Sequence, residues 1–214
     1  MSRISESSVR RLSHYYRVLE EVAAEGQRMI SSHLLAEREG ITSAQVRKDL
    51  SYFGSFGRRG LGYNVEHLLA EIRGILGLDR RWRVGVVGAG HIGSALLAYR
   101  GFGNQGFDVV AVFDASRDRV GTTLGHLTVR DMESLSPKDA LDMGVIATPV
   151  RAAQDVADAL VAAGVRGILN FAPRKLRVPA EVTLRVVDMT MEFESLSFAL
   201  SQARTPRRRR EPGE

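Results

Sequence analysis

Three glycines in the stretch VGVVGAGHIGSALLAY, residues 84–99, carry the first chemical suggestion in this chain. Gly88, Gly90 and Gly93 keep the spacing G-x-G-x-x-G, directly after a β-branched run and at the start of a helical pattern. In that spacing the first glycine permits a tight turn, the second lets the backbone approach a pyrophosphate, and the third lets the helix pack on the strand. Ala89, His91 and Ile92 complete the turn, and a diphosphate would sit on the positive helix N-terminus. Asp114 closes the second predicted strand, 21 residues past Gly93. A carboxylate there accepts hydrogen bonds from the adenosine ribose hydroxyls and disfavours a 2′-phosphate. Thr148 and Pro149 in ATPV, and Asn170, Phe171 and Pro173 in NFAP, fall at the carboxyl ends of two further predicted strands. Ligands bind at such ends in open α/β sheets.

A second constellation lies upstream, in ITSAQVRKDLSYFG. Thr42 and Gln45 have capping-box spacing, with Ile41 and Val46 placed as a hydrophobic staple. On the helix that follows, Val46, Leu50 and Phe53 point one way. Ala44, Arg47, Lys48 and Ser51 point the other, with Gln45 and Tyr52 at the flank. Small residues permit close approach to a DNA groove, while Arg and Lys serve phosphates and guanine edges. The glycine-punctuated FGRRG would form a wing, with Arg58 or Arg59 reaching backbone or minor groove. Arg47 and Lys48 alone would fit a solvated basic face equally well; capped helix, turn and arginine loop together favour DNA.

The elements around these residues fall into two sets. Val9, Leu12, Tyr16, Leu19 and Ala23 predict an amphipathic helix, capped by Ser7 or Ser8 and ended by Gly26. A short helix follows over 32–38, with Ala36 where two helices would cross and Gly40 in the turn, and EHLLAEIRGILGL predicts another ending at Gly77. After DRRW, the runs RVGVVG, FDVVAVF, MGVIAT, RGILNF and LRVVDM alternate with SALLAYR and RAAQDVADALVAAG. Alternation of that kind predicts βαβ units and a parallel sheet.

The 214-residue chain carries a formal net charge of +5, and residues 1–83 and the tail from Arg204 are basic while the stretch between is slightly acidic. A basic front suggests an anionic partner. The absence of cysteine excludes disulfides and thiolate metal sites, no metal is expected, and a reducing cytoplasm is the expected compartment. No apolar run approaches the roughly 20 residues of a membrane span.

A dehydrogenase needs a proton donor or acceptor beside the hydride, usually from a substrate domain. His91 lies in the phosphate turn, His14, His33 and His67 in the helical front, and His126 in a loop, while only one predicted helix follows the last strand. The expectation is therefore a sensor and not an enzyme. The competing readings are a nicotinamide-dependent oxidoreductase and a coenzyme A or dinucleotide module without DNA binding.

Across residues 8–200 the chain resembles the Rex family of redox-sensing transcriptional repressors. The resemblance is carried by RLSHYYRVLEEV, VRKDLSYFGSFGRRGLGYNV, VGAGHIGSAL, GVRGILNFAP and VVDMTMEFESLSF. This chain has His91-Ile92 where Asn-Leu is frequent, and Ser116 where an acidic residue is common. The resemblance implies an α/β protein: a winged-helix DNA-binding domain over 1–80 and a Rossmann NAD(H)-binding domain with a parallel sheet over 81–188. A C-terminal helix exchanged between subunits over 189–203 and a basic, disordered tail over 204–214 complete the expected layout. It implies a homodimer that binds inverted-repeat operator DNA and is released by NADH, with NADH and NAD⁺ as regulatory ligands.

The exchanged helix would bring Met189 or Phe193 near the partner's nicotinamide pocket. Its Met189, Phe193, Leu196 and Leu200 share one face. By the same resemblance Asp188 would pair with Tyr99, itself at the cofactor site, in one state and with Arg17 in the other. A pocket walled by Phe171, Pro173 and an apolar partner side chain would penalise the cationic ring of NAD⁺ by desolvation.

Overall fold

The glycine turn and the basic helix lie in different units. The computed structural model describes residues 4–58 and 60–204, which divide between Arg81 and Trp82. In the first unit, α1 (Glu6–Ala24), α2 (Ser32–Glu39), α3 (Ser43–Ser51) and α4 (Val65–Ile75) enclose one apolar core. Between them run the short strands β1 (Met29–Ile30), β2 (Gly57–Arg58) and β3 (Gly62–Asn64), with β3 central and antiparallel to both others. Helix, strand, two helices and a hairpin, in that order, make a winged helix.

Local departures from the sequence pattern have identifiable causes. Ser5, not Ser7 or Ser8, caps α1, accepting the Ser8 N–H at 3.2 Å. Ser8 is thereby inside the helix and buried, because its hydroxyl serves an acceptor on α3. The inward stripe of α1 is Leu12, Tyr15, Tyr16, Leu19 and Val22, while Val9 and Ala23 stay exposed. Gly40 ends α2 in the left-handed region (φ 65°), and buried Ala36 sits in the shared core. Thr42 caps α3 by accepting the Gln45 N–H at 3.2 Å. Only this half of the capping box is built from Thr42, since the Gln45 side chain turns to Asp49 instead.

The second unit runs β4 (Trp82–Val87), α5 (His91–Ala98), α6 (Gly101–Asn104), β5 (Phe107–Asp114), β6 (Thr123–Leu124), β7 (Leu127–Asp131) and β8 (Met143–Ile146). It continues with α7 (Ala153–Ala162), β9 (Gly167–Asn170), β10 (Thr183–Val186) and α8 (Met189–Arg204). The strands form one sheet in the order β10-β9-β8-β4-β5-β7-β6, parallel except for the edge pair β6–β7. That edge pair had no signal in the sequence pattern: its strands are short and carry polar residues, and β6 is only two residues long.

β4 therefore has β5 on one side and β8 on the other, which opens a crevice at their carboxyl ends. One sheet face packs on α7 through Ala153, Val156, Ala157 and Leu160. Leu96 and Leu97 of α5 pack on the other. The remainder of that second face is an open groove of about 600 Å³, walled by Trp82, Val84, Met143, Val145, Leu169 and Arg185.

α8 buries little against the described residues of its own unit: every side chain from Met189 to Gln202 is exposed, Phe193 and Phe198 at 67% each. Among the described residues no helix is long and apolar enough to cross a membrane, and no group of three or more His, Asp or Glu could hold a metal. The tail expected over 204–214 lies, apart from Arg204 at the end of α8, outside the described residues, as does Arg59, expected as a wing residue.

Candidate functional site

In the second unit the turn after β4 is built around backbone that a side chain would obstruct. Gly88 has φ 105°, and a Cβ there would lie 2.5 Å from the Ala147 carbonyl oxygen, so the turn is pressed against the end of β8. A Cβ on Gly93 would lie 1.9 Å from the Gly88 carbonyl oxygen, which closes helix onto strand. Gly90, by contrast, has open space beside it. It precedes the first turn of α5, whose N-terminal N–H groups lack intrahelical partners.

Asp114 ends β5 and ties itself to this turn: Oδ2 accepts the Ala89 N–H at 2.8 Å and Oδ1 accepts the Ser116 N–H at 2.8 Å. Each oxygen keeps further lone-pair capacity for a ribose hydroxyl. Arg119 donates to the Ala89 carbonyl and clamps the turn from its other side. Its role was not legible from sequence, because nothing in the spacing singles Arg119 out from Arg117. Across the crevice the hydroxyl of Thr148 is buried with no hydrogen-bond partner. A buried hydroxyl left unpaired is costly and marks a place where a ligand group fits. Open space at Gly90, helix N–H groups without intrahelical partners, a carboxylate at the end of β5 and an orphaned hydroxyl together suit a dinucleotide.

The remaining pocket candidates divide. His91, Ile92 and Pro149 are exposed around the crevice mouth. Asn170 does not offer its side chain to a ligand, contrary to expectation. It is fully buried, donates to the Ala172 and Arg174 carbonyls at 2.9 and 3.1 Å, and accepts the Ala172 N–H at 2.9 Å. Buried amides must satisfy their polar groups, and Asn170 does so by folding the loop that follows the half-buried Phe171 and carries the exposed Pro173. Tyr99 caps α5, largely exposed, with its ring edge-on to Phe102 at 4.9 Å. Asp188 accepts the Thr190 N–H at 2.9 Å and so opens α8. Arg17 is exposed on α1, in the other unit.

In the first unit, α3 buries Val46, Asp49 and Leu50 and exposes Ala44, Arg47, Lys48 and Ser51, with Tyr52 at the exposed edge. Arg47 is steadied by a bond from Nη1 to the Ser32 hydroxyl at 3.0 Å. Arg58 belongs to β2, in the hairpin that makes the wing.

Asp49 is the residue the sequence pattern missed. Its oxygens accept from Arg11, Tyr15, Ser8 and Gln45, linking α1 to α3. Burial opposes its charge, yet the hydrogen bonds from Arg11, Tyr15 and Gln45 outweigh that and hold the carboxyl below its ordinary range. Burial and the Asp49 carboxylate in turn push the Tyr15 phenol up. An acidic residue between the inward Val46 and Leu50, four after Gln45, was the available signal.

Comparison with known proteins agrees with this division. Residues 3–51 match the family described as "putative DNA-binding protein N-terminus", and residues 79–174 match the CoA binding domain family. The chain is 48% identical over 199 residues to the redox-sensing transcriptional repressor Rex of Carboxydothermus hydrogenoformans, covering 92% of this chain and 96% of that one. It is 46% identical to the Rex of Syntrophomonas wolfei, covering 93% and 96%. Among solved structures it is similar to RSP, a Rex-family repressor, in complex with β-NAD⁺ and operator DNA, with a TM-score of 0.90 at 36% identity and 95% coverage of each chain. RSP in complex with β-NADH gives 0.85 at 34% identity, covering 95% of this chain and 97% of that one. At this identity and coverage the conclusion is direct: the chain belongs to the Rex family of redox-sensing transcriptional repressors.

Proposed function

We infer that this protein is a transcriptional repressor that binds inverted-repeat operator DNA as a homodimer and is released by NADH. The observation that carries this reading is the pairing, in one chain, of an exposed Ala44–Arg47–Lys48–Ser51 face in a winged helix with a glycine cradle anchored on Asp114. Similarity to RSP, solved with NAD⁺ and operator DNA and with NADH, supports both halves. The oxidoreductase reading and the DNA-free nucleotide module leave the basic face and the bare α8 without a task, and the protein is read as a regulator without turnover. A cytoplasmic location accords with operator DNA and a nicotinamide pool as its two ligands.

In the cradle the backbone N–H groups after Gly90 would hold the diphosphate, and Asp114 the adenosine ribose. Ala89, His91, Ile92, Thr148 and Pro149 shape the rest, with Phe171 and Pro173 walling the nicotinamide end. An apolar wall there costs a cationic ring its hydration and spares the neutral dihydronicotinamide.

The exposed apolar side of α8 and the open groove over β8, β9 and β10 are two halves of one dimer interface, each filled by the second copy. Two-fold symmetry then sets two α3 helices on two half-sites. Asp188, exchanging between Tyr99 and Arg17, is the proposed link from cradle to winged helix, and Met189 or Phe193 the side chain brought to the partner's nicotinamide site. Moving such a switch from mostly one state to mostly the other takes up to about 5.5 kcal/mol of differential affinity, which two cofactor sites can share.

The test is fluorescence anisotropy of a labelled inverted-repeat duplex at fixed salt, titrated with NADH, NADPH and NAD⁺. Release by NADH at concentrations where NAD⁺ and NADPH do nothing is the expected result. Binding that ignores all three removes the redox reading and leaves the DNA reading standing.

A further inference from the structure

A charged side chain with no exposure sits in the helix assigned to DNA. Asp49 Oδ1 accepts from Ser8 Oγ at 3.2 Å, Arg11 Nη2 at 2.7 Å and Gln45 Nε2 at 3.0 Å. Oδ2 accepts from Arg11 Nε at 2.6 Å and the Tyr15 hydroxyl at 2.8 Å. Arg11 and Tyr15 suffice to pair and fix the carboxylate. Gln45 adds something else, because it is half-buried, in the first turn of α3, and at the flank of the exposed basic face.

An ionised carboxylate only accepts hydrogen bonds, so Gln45 can meet Asp49 only with its amide nitrogen. Turning the amide over would set its oxygen against the carboxylate. The proton given to Asp49 is the one on the far side of the nitrogen from the carbonyl, since the near one would again bring oxygen to oxygen. What remains free is the opposite amide edge, an acceptor beside a donor. In the DNA major groove that edge matches adenine, whose N6 donates and N7 accepts; guanine offers two acceptors and cannot satisfy the amide oxygen. Residues in the first turn of a recognition helix are the ones that reach base edges.

We propose that Asp49 is a positioning residue that locks the Gln45 amide, and that Gln45 so held selects adenine at one base pair of each operator half-site. This rests on the repressor reading above. Arg47, tied to Ser32, and Lys48 then supply backbone contacts, while Gln45 supplies sequence.

The test begins with a duplex selected by the wild-type full-length protein from a randomised inverted-repeat library. Each base pair of its half-site is then replaced in turn by the other three, and competition anisotropy gives a preference profile. The profile is repeated for Gln45→Met, which keeps length and apolar bulk, and for Asp49→Asn, whose own amide permits the Gln45 amide to turn over. The expected result is loss, in Gln45→Met, of a roughly 5- to 150-fold preference for A·T at a single position, with the other positions unchanged. In Asp49→Asn that same position flattens or shifts toward G·C.

An unchanged profile in Gln45→Met overturns the proposal, and so does a flattened position that was not A·T. A folded Asp49→Asn protein with weaker binding but the wild-type profile overturns the role of Asp49. If Asp49→Asn does not fold, the Gln45→Met profile decides for Gln45, and the paired replacement of Arg11→Met with Asp49→Asn, which leaves no buried charge unpaired, takes its place in testing the lock, with the same flattening expected. Wild-type protein that selects no duplex overturns the repressor reading itself, a different failure from a flat Gln45 profile.

Discussion

Arg11 grips both oxygens of Asp49, Nε on Oδ2 at 2.6 Å and Nη2 on Oδ1 at 2.7 Å, across 38 positions of sequence. The paired guanidinium and carboxylate join α1 to α3, with the carboxylate side fully buried. Removing one partner of a buried pair leaves the other groups unpaired, here the Tyr15 hydroxyl and part of Arg11. Asp49→Ala should therefore destabilise the winged-helix unit by about 3 kcal/mol, read by denaturant unfolding followed through a probe in residues 1–81.

The same carboxyl sets an acid limit. Its folded value is depressed below 3.8, so its contribution to stability is complete above the unfolded value and is lost as pH falls through the folded one. The wild-type advantage over Asp49→Asn should be flat from pH 8 to about pH 5 and shrink only in stronger acid. An advantage that shrinks on raising pH from 5 to 8 would contradict this assignment.

The glycines of the cradle should separate by what each touches. Gly93→Ala drives a Cβ to 1.9 Å from a backbone oxygen and should cost fold and ligand together. Gly90→Ala meets nothing within 4 Å and has an ordinary φ of −76°, so unfolding should shift by no more than about 0.5 kcal/mol. Its added methyl occupies the space offered to the diphosphate, and NADH affinity measured by calorimetry should fall at least about tenfold. A Gly90→Ala protein that binds NADH normally would move the diphosphate elsewhere.

Much of this cradle was legible beforehand because its signals are local. A glycine spacing, a strand-ending Asp114 and the ATPV and NFAP strand ends each declare themselves within a few residues. Thr42 and the inward Val46 and Leu50 were legible for the same reason. What escaped were relationships made by distant pairing. Asp49 reads as one more polar residue until Arg11 and Tyr15 arrive from α1. Ser8 resembles a cap until its hydroxyl finds Asp49, leaving the cap to Ser5. Asn170 resembles a pocket residue until the Ala172 and Arg174 carbonyls consume its amide.

Asp114 predicts the choice between two nicotinamide cofactors. A carboxylate set against the adenosine ribose, the role proposed for Asp114, repels a 2′-phosphate, and both its oxygens are already fixed by the Ala89 and Ser116 N–H groups. Asp114→Ser should keep one backbone bond, weaken NADH by roughly tenfold and narrow the gap to NADPH, measured as operator release by each. Equal release of wild-type protein by both cofactors would show that Asp114 does not discriminate.

Lys48 is exposed on the α3 face that Arg47 shares, and a lysine on a phosphate acts as a point charge. Lys48→Ala should weaken operator binding about equally for every base-pair variant and reduce the slope of log affinity against log salt by about 1. A loss confined to one operator base pair would instead make Lys48 a base reader.

α8 makes the last prediction, through what its sequence leaves uncovered. Phe193, Leu196 and Leu200 run along a helix that touches little of its own unit, and Met191 and Phe198 add further apolar surface. Fully burying one phenylalanine is worth about 2 kcal/mol, and a two-fold interface buries each residue twice. Phe193→Asp with Phe198→Asp should therefore leave both units folded while weakening the dimer by several powers of ten, so that sedimentation at micromolar protein finds monomer. The monomer keeps one intact α3 and one intact cradle. It should bind a single half-site as weakly as any one winged helix does and still take NADH on its own glycine turn, but the two events should no longer be coupled. Sedimentation as dimer with operator release unaltered would place the subunit contact elsewhere.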